Sequence, residues 1–383
     1  MFGACSSTRV PGSISSDPGS VCDAGTFRLL TLEDLPSEGS FTPVDTAADD
    51  VAIIAFTSGT TGEPKGCVHL HRDLLACCDT FAREILAPQP GDVFSGTPPL
   101  AFTYGLGGEV LFPLRFGAST APVARPGDLL DVIRREGVTT LFTAPTAYRS
   151  LLREDVPGTL HTCVSAGEPL PAGVSDAWYE KTGIRIVDGI GSTEMLHIFI
   201  AARPEDAKPG SCGRPVPGYE ARIVDDEMNT LPPGSVGRLA VRGPTGCRYL
   251  DDPRQAVYVR DGWNLTGDAF SMDADGYFWF QARTDDMIIS SGYNISGFEV
   301  EAALLEHPAV AECAVVAAPD EARGHVVKAF VVASGDVGVR ELQDHVKALI
   351  APYKYPRQVE FVEALPRTPT GKVQRNVLRE RSA

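Results

Sequence analysis

Six apolar residues, Val51-Ala52-Ile53-Ile54-Ala55-Phe56, run directly into Thr57-Ser58-Gly59-Thr60-Thr61-Gly62-Glu63-Pro64-Lys65-Gly66. An apolar run of this length reads as a buried strand, and the loop at its end is built to turn around an anion. Three glycines permit positive φ and close approach of the backbone to a ligand, four hydroxyls can donate to anionic oxygens, and Lys65 adds a positive charge. The segment departs from the Walker pattern G-x-x-x-x-G-K-[ST], because Pro64 precedes the lysine and neither Ser nor Thr comes after it. Taken in isolation it also fits a flexible Ser/Thr/Gly surface loop.

The periodicity around this loop sets the fold class. From about residue 50 to 190, strands over 51–56, 139–143 and 161–165 alternate with amphipathic helices over 70–86, 129–136, 145–152 and 171–182. This predicts an α/β sheet with helices on its faces and ligands beyond the carboxyl ends of its strands. From about 210 to 281 the pattern changes to short strands between Gly and Pro turns, over 219–224, 237–242 and 277–280, which predicts a small β subdomain. After Arg283 come a strand, a helix from Phe298, strands over 311–317 and 326–332, and a helix over 339–349, a compact α+β unit. Residues 1–25, rich in Ser, Gly and Cys, are expected to be disordered. The remainder divides into domains at 26–283 and 284–383.

Composition narrows the function classes. A chain of 383 residues with 43% hydrophobic content suggests at least two domains. No run approaches the roughly 18 apolar residues of a membrane span, and no basic-then-apolar leader opens the chain, so the expectation is a cytoplasmic protein without a membrane partner. A net charge of −16 argues against nucleic acid. The charge is uneven, however. Residues 354–383 carry seven basic side chains against three acidic ones, a local +4 that reads either as a solvated end or as a face toward polyphosphate. Nine scattered cysteines without a CxxC pair read as reduced, mostly buried thiols rather than a disulfide framework or a metal site.

Further segments stand downstream in order: Ser165-Ala166-Gly167-Glu168-Pro169-Leu170, Asp188-Gly189-Ile190-Gly191-Ser192-Thr193-Glu194, Thr266-Gly267-Asp268, Ala282-Arg283-Thr284-Asp285-Asp286-Met287-Ile288 and Pro369-Thr370-Gly371-Lys372. With the glycine-rich loop, this set resembles the acyl-adenylate-forming superfamily of acyl-CoA synthetases, peptide-synthetase adenylation domains and luciferases, over roughly residues 45 to 380. The resemblance implies a large adenylation domain with a small β subdomain and a small, mobile C-terminal domain. It also implies a reaction in which a carboxylate attacks the α-phosphate of ATP with Mg2+ present, and CoA then takes the acyl group. Ser58, Gly59, Thr60, Thr61 and Gly62 would hold the β- and γ-phosphates, with Lys65 supporting the loop. Thr193 would bond the α-phosphate and Glu194 ligate Mg2+ as a hard oxygen donor. Gly167, Glu168 and Pro169 would shelve the adenine with Asp188 at its edge. Asp268 would accept both ribose hydroxyls, and Arg283 would contact the ribose or phosphate. Lys372 would bridge the acid and the α-phosphate, the small domain would turn about a hinge at Asp285, and Ser290, Ser291, Gly292 and Tyr293 would enter for the thioester step.

Within the superfamily, Pro64-Lys65-Gly66-Cys67-Val68-His69-Leu70-His71-Arg72-Asp73 and Glu194-Met195-Leu196-His197-Ile198 resemble benzoate- and 2-aminobenzoate-CoA ligases. Phe102, Thr103, Tyr104, Gly191, His197 and Ile198 would then line a flat slot for an aryl ring. His197 is either a donor to a ring substituent or a satisfied core residue. Phe298 stands where related ligases have Pro. Family members carry well over 100 residues before the loop, whereas 56 precede Thr57 here. The sequence therefore predicts an exposed apolar sheet edge and weakened acyl selectivity. Transfer to a carrier-protein thiol, and nucleotide binding without turnover, are the competing expectations.

Overall fold

The computed structural model describes residues 42–57, 65–283, 286–290, 293–320, 323–367 and 373–382. The chain divides between Thr46 and Ala47 into two units, and the strands and helices of the described residues lie in the second. Strands β1 (Val51–Thr57) and β2 (Lys65–Leu70) pair antiparallel as a two-stranded ribbon, with Thr57 opposite Lys65. The expectation of a buried strand is corrected here. Val51, Ile54 and Phe56 are 56%, 43% and 62% exposed, because a two-stranded ribbon covers one face and leaves the other open. An unbroken apolar run does not by itself distinguish this from burial on both faces.

The central sheet contains β3 (Val93–Gly96), β4 (Ser119–Thr120), β5 (Thr140–Thr143), β6 (Thr162–Ser165), β7 (Val187–Gly191), β8 (Ile198–Ala201) and β9 (Arg214–Pro215). Their order is β4-β3-β5-β6-β7-β8-β9, parallel from β4 to β7 and antiparallel thereafter. Every residue of β5 is buried, as expected of a parallel strand covered on both faces. Helices Leu129–Glu136, Pro145–Leu151 and Ala172–Thr182 supply crossovers. Two of these end on glycines in the left-handed region, Gly137 at φ 62° and Gly183 at φ 74°, which spares the Cβ strain any other residue would bring there. One hydrophobic core gathers Phe81, Phe94, Phe112, Phe142 and Phe199, and a second gathers Ile133, Leu141, Tyr148 and Trp178. Each such side chain contributes about 1.5–3 kcal/mol of burial.

A second, antiparallel sheet is formed by β10 (Glu220–Val224), β11 (Val236–Arg242), β12 (Val259–Arg260), β13 (Trp263–Met272) and β14 (Phe278–Arg283). The third sheet contains β15 (Ile288–Ser290), β16 (Tyr293–Ile295), β17 (Val310–Asp320), β18 (Gly324–Ala333) and β19 (Gln358–Phe361). Helices Gly297–Leu305 and Val339–Leu349 contribute Val300, Leu304, Leu342 and Val346 to its core. Ser296 caps the first of them by accepting a hydrogen bond from the Glu299 amide.

Phe102, Thr103 and Tyr104, expected along the acid slot, lie in residues 99–108, to which the sequence assigns no element. The segment opens a helix, Thr103–Leu106, that continues through a wide i→i+5 stretch, Gly107–Leu111, into Phe112–Phe116. Gly107 and Gly108 let it pack closely, since a Cβ at Gly107 would lie 2.3 Å from the His197 ring and one at Gly108 2.6 Å from the Phe142 ring. Seven of the cysteines are described, all unbonded, and six of them are buried. Among the described residues no helix is long and apolar enough to cross a membrane.

Candidate active site

Alternation along β2 places Lys65, Cys67 and His69 on one side of the strand. Opposite Cys67, through an isolated antiparallel bridge, stands Tyr249. Lys65 Nζ donates to the Tyr249 hydroxyl at 3.0 Å, and that hydroxyl donates to Glu194 Oε1 at 2.6 Å. Lys65 itself lies 3.8 Å from Glu194 Oε1, so the carboxylate sits between a hydroxyl donor and a positive charge. Ser192 Oγ accepts from the Met195 amide at 3.2 Å and lies 3.4 Å from the Tyr258 hydroxyl. The Thr193 carbonyl is 2.8 Å from His69 Nε2.

A second polar centre lies on neighbouring strands of the β10–β14 sheet. Asp268 on β13 is directly opposite Arg283 on β14, and their side chains meet at 2.8 Å. Burial raises the Asp268 pKa while the guanidinium opposes it. Near the start of β7, burial pushes Asp188 up to about 7. Asp188 Oδ1 and Ser165 Oγ are both sealed from solvent without a bonded partner among the described residues. Gly167, which follows β6, has φ 87°, so its peptide faces a way a Cβ-bearing residue rarely adopts.

Of the expected slot residues, Tyr104 and His197 lie together in an aromatic cluster. The His197 ring centroid is 4.7 Å from Phe112, 5.3 Å from Phe81, 5.8 Å from Tyr104 and 6.4 Å from Phe142. Burial lowers the His197 pKa to about 3, with the Tyr104 backbone opposing. The imidazole is therefore neutral, and neither ring nitrogen has a partner in hydrogen-bonding geometry among the described residues. His197 occupies a core position but is not satisfied there. Tyr104 donates to the carbonyls of Val164 at 3.1 Å and Thr143 at 3.3 Å, which fixes its ring over the ends of β5 and β6. Thr103 and Ile198 are buried and Phe102 is half-buried. Gly191 lies so close to β8 that a Cβ would be 2.6 Å from the His197 carbonyl.

Glu109 carries no mark in the sequence. Its side chain is buried, Oε1 has no partner among the described residues, and desolvation raises its pKa to about 7. The folded state therefore favours the protonated form. That contribution is complete below the ordinary carboxyl range, near pH 4.5, and is lost as pH rises through about 7. Glu109→Gln, neutral at every pH, is expected to melt like the wild type at pH 5 and above it at pH 8. After allowance for partial solvent screening, the gain is on the order of 1–2 kcal/mol. A melting difference that does not change between pH 5 and 8 would refute the assignment.

Of the remaining expected site residues, Ser58, Gly59, Thr60, Thr61, Gly62, Asp285, Ser291, Gly292 and Lys372 lie outside the described set. The flanks of the Lys372 segment are tied down. Arg367 and Val373 form an antiparallel bridge, the Gln374 amide donates to the Pro366 carbonyl at 2.8 Å, and Arg375 holds both oxygens of Glu301 at 2.8 Å. Tyr249, Tyr258 and His69 have no role assigned by the sequence motifs. Their partners are 55 to 184 residues away in the chain for Tyr249, 66 for Tyr258 and 124 for His69, and no short spacing marks such pairs.

The sequence profile described as AMP-binding enzyme matches residues 13–248, and that of the AMP-binding enzyme C-terminal domain matches 299–372. The chain belongs to the AMP-binding enzyme family. This AMP-binding enzyme is 42% identical over 367 residues to the mouse (Mus musculus) mitochondrial acyl-coenzyme A synthetase ACSM3, covering 89% of the present chain and 63% of that protein. It is 41% identical over 374 residues to the benzoate–CoA ligase of Thauera aromatica, covering 93% and 70% respectively. The crystal structure of the anthranilate CoA ligase AuaEII in complex with anthranoyl-AMP superimposes with a TM-score of 0.84 at 38% identity, over 90% of this chain and 69% of that one. The chain thus spans under two thirds of the length of the mouse relative. The superfamily resemblance and the mixed α/β architecture expected from sequence are both borne out by these matches.

Proposed function

We propose that this AMP-binding enzyme activates an aryl carboxylic acid with ATP to an acyl-adenylate and transfers the acyl group to the thiol of CoA. The observation that carries the reading is the Lys65-Tyr249-Glu194 arrangement next to Thr193, in a chain that also pairs Asp268 with Arg283. Adenylation brings an anionic carboxylate to an anionic phosphate, so it depends on positioning and charge compensation rather than on covalent help from the protein. One acid oxygen bonds to the α-phosphorus, the α–β bridging bond breaks, and pyrophosphate leaves with the electron pair. Lys372 offsets the charge that builds between the two reactants, and Thr193 bonds the α-phosphate. Asp268 accepts the ribose hydroxyls, and Gly167, Glu168, Pro169 and Asp188 frame the adenine.

The donor set fits Mg2+. Glu194 offers a hard carboxylate oxygen, already oriented by Tyr249, and the described residues hold no cluster of three or more potential metal ligands. Mg2+ commonly binds through one or two carboxylates together with waters and substrate phosphates. When bound it would neutralise phosphate charge.

The aryl preference is supported by the aromatic cluster of Tyr104, Phe112, Phe142 and His197 and by the benzoate and anthranilate ligases among the relatives. The pairing of adenylation residues with an aromatic cluster leads to one expectation. Pyrophosphate exchange into ATP should proceed with benzoate or 2-aminobenzoate and should be absent with medium-chain fatty acids. Exchange with the fatty acids but not the aryl acids would remove the aryl assignment, and comparing free CoA with a phosphopantetheinyl carrier protein identifies the acceptor.

A further inference from the structure

We infer that His69 is a positioning residue that holds the Thr193 carbonyl while Lys65, on the same face of β2, holds Glu194 through Tyr249, so that one strand grips both residues of the Thr193-Glu194 pair. The inference rests on the roles proposed above for Thr193 and Glu194.

His69 is fully buried and its Nε2 lies 2.8 Å from the Thr193 carbonyl. A carbonyl oxygen can only accept, so Nε2 carries the proton and the ring is a donor. The other nitrogen, Nδ1, is then a bare acceptor, and it is sealed without a partner among the described residues. Burial lowers the His69 pKa, against the Thr193 contact, and keeps the ring neutral. A buried nitrogen left unpaired is destabilising, a penalty that an apolar side chain of similar shape would not carry. What the imidazole adds at this position is the single bond to Thr193.

That bond acts on the right atoms. The Thr193 carbonyl lies in the same peptide plane as the Glu194 amide, so gripping it orients the root of Glu194, while Tyr249 orients the tip at 2.6 Å. The Leu196 amide also donates to the Thr193 carbonyl at 3.1 Å, which closes the turn from the other side. Lys65 and His69 are four residues apart on one strand, an even offset that points both side chains the same way. A displacement of β2 would therefore loosen both grips together.

The test compares His69→Leu, which removes the donor, with His69→Gln, whose amide nitrogen can donate from about the Nε2 position. Binding of ATP with and without Mg2+ is measured by calorimetry, pyrophosphate-exchange kcat and KM by assay, and the melting midpoint by calorimetric scan. His69→Leu is expected to weaken Mg2+-ATP binding about tenfold, to affect metal-free ATP less, and to lower kcat further than it raises KM. His69→Gln is expected to restore most of each. Wild-type Mg2+-ATP affinity and kcat in the Leu variant would overturn the inference, as would a Gln variant that melts like the wild type yet binds no better than Leu. If the Leu variant does not fold, His69→Asn, whose amide stops short of Thr193, takes its place in the comparison. Absence of exchange by the wild type with any aryl acid would refute the proposed reaction, while the Mg2+-ATP affinities would still decide the role of His69.

Discussion

Lys372→Ala is expected to slow aryl-dependent pyrophosphate exchange on the order of 10²–10³-fold while leaving thioester formation from a supplied synthetic acyl-adenylate near the wild-type rate. Two anions must approach in the first half-reaction, and a cation between them is worth most at the moment charge builds at the α-phosphate. Once the adenylate exists, the pyrophosphate charge has gone and attack by a thiol no longer needs that compensation. The two half-reactions therefore separate the lysine's role from a general loss of folding. Equal loss in both would mean that the substitution damages the protein or that the lysine serves both steps.

Asp268→Ala should be nearly as severe, for a different reason. Removing the carboxylate deletes the acceptor proposed for the ribose hydroxyls and leaves Arg283 without the partner it meets at 2.8 Å. Two hydrogen bonds to a charged group correspond to about 3 kcal/mol, and hence roughly 10²-fold in ATP affinity. The uncompensated guanidinium should also lower the melting midpoint. Asp268→Asn keeps the volume and one acceptor oxygen, so it should fall between the wild type and Ala in affinity. Calorimetric titration with ATP and a melting scan distinguish the two contributions. An Ala variant with unchanged ATP affinity would remove Asp268 from the site.

The parts of the fold legible in sequence are those whose cause is local. Helix Leu129–Glu136 is readable because its apolar positions repeat at the helical period and Gly137 follows it, and helix Val339–Leu349 for the same periodicity. The Thr103–Phe116 stretch is not, since its glycines look like loop residues until Phe142 and His197 are packed against them. Asp268 stands out through its neighbours in sequence, but its pairing with Arg283 depends on strand register. The burial of Glu109 and the grip of Tyr249 on Glu194 arise from contacts between distant segments, and a single sequence carries no mark of them. The ribbon of β1 misleads because hydrophobicity reports a preference for cover without saying whether cover is present on both faces.

The distribution of thiols gives this chain a set of built-in reporters. Cys77, Cys78 and Cys212 sit in the core around Phe142, Cys163 in the core around Trp178, and Cys67 and Cys247 beside Tyr249, while Cys313 packs against the core of the β15–β19 sheet. A thiol reacts as its thiolate, and burial raises the pKa of Cys67, Cys163, Cys212, Cys247 and Cys313, so modification has to wait for an opening event. Pulsed alkylation read peptide by peptide would then time the opening of each region separately. ATP should slow the labelling of Cys67 and Cys247, whose segments carry Lys65 and Tyr249, more than that of Cys163.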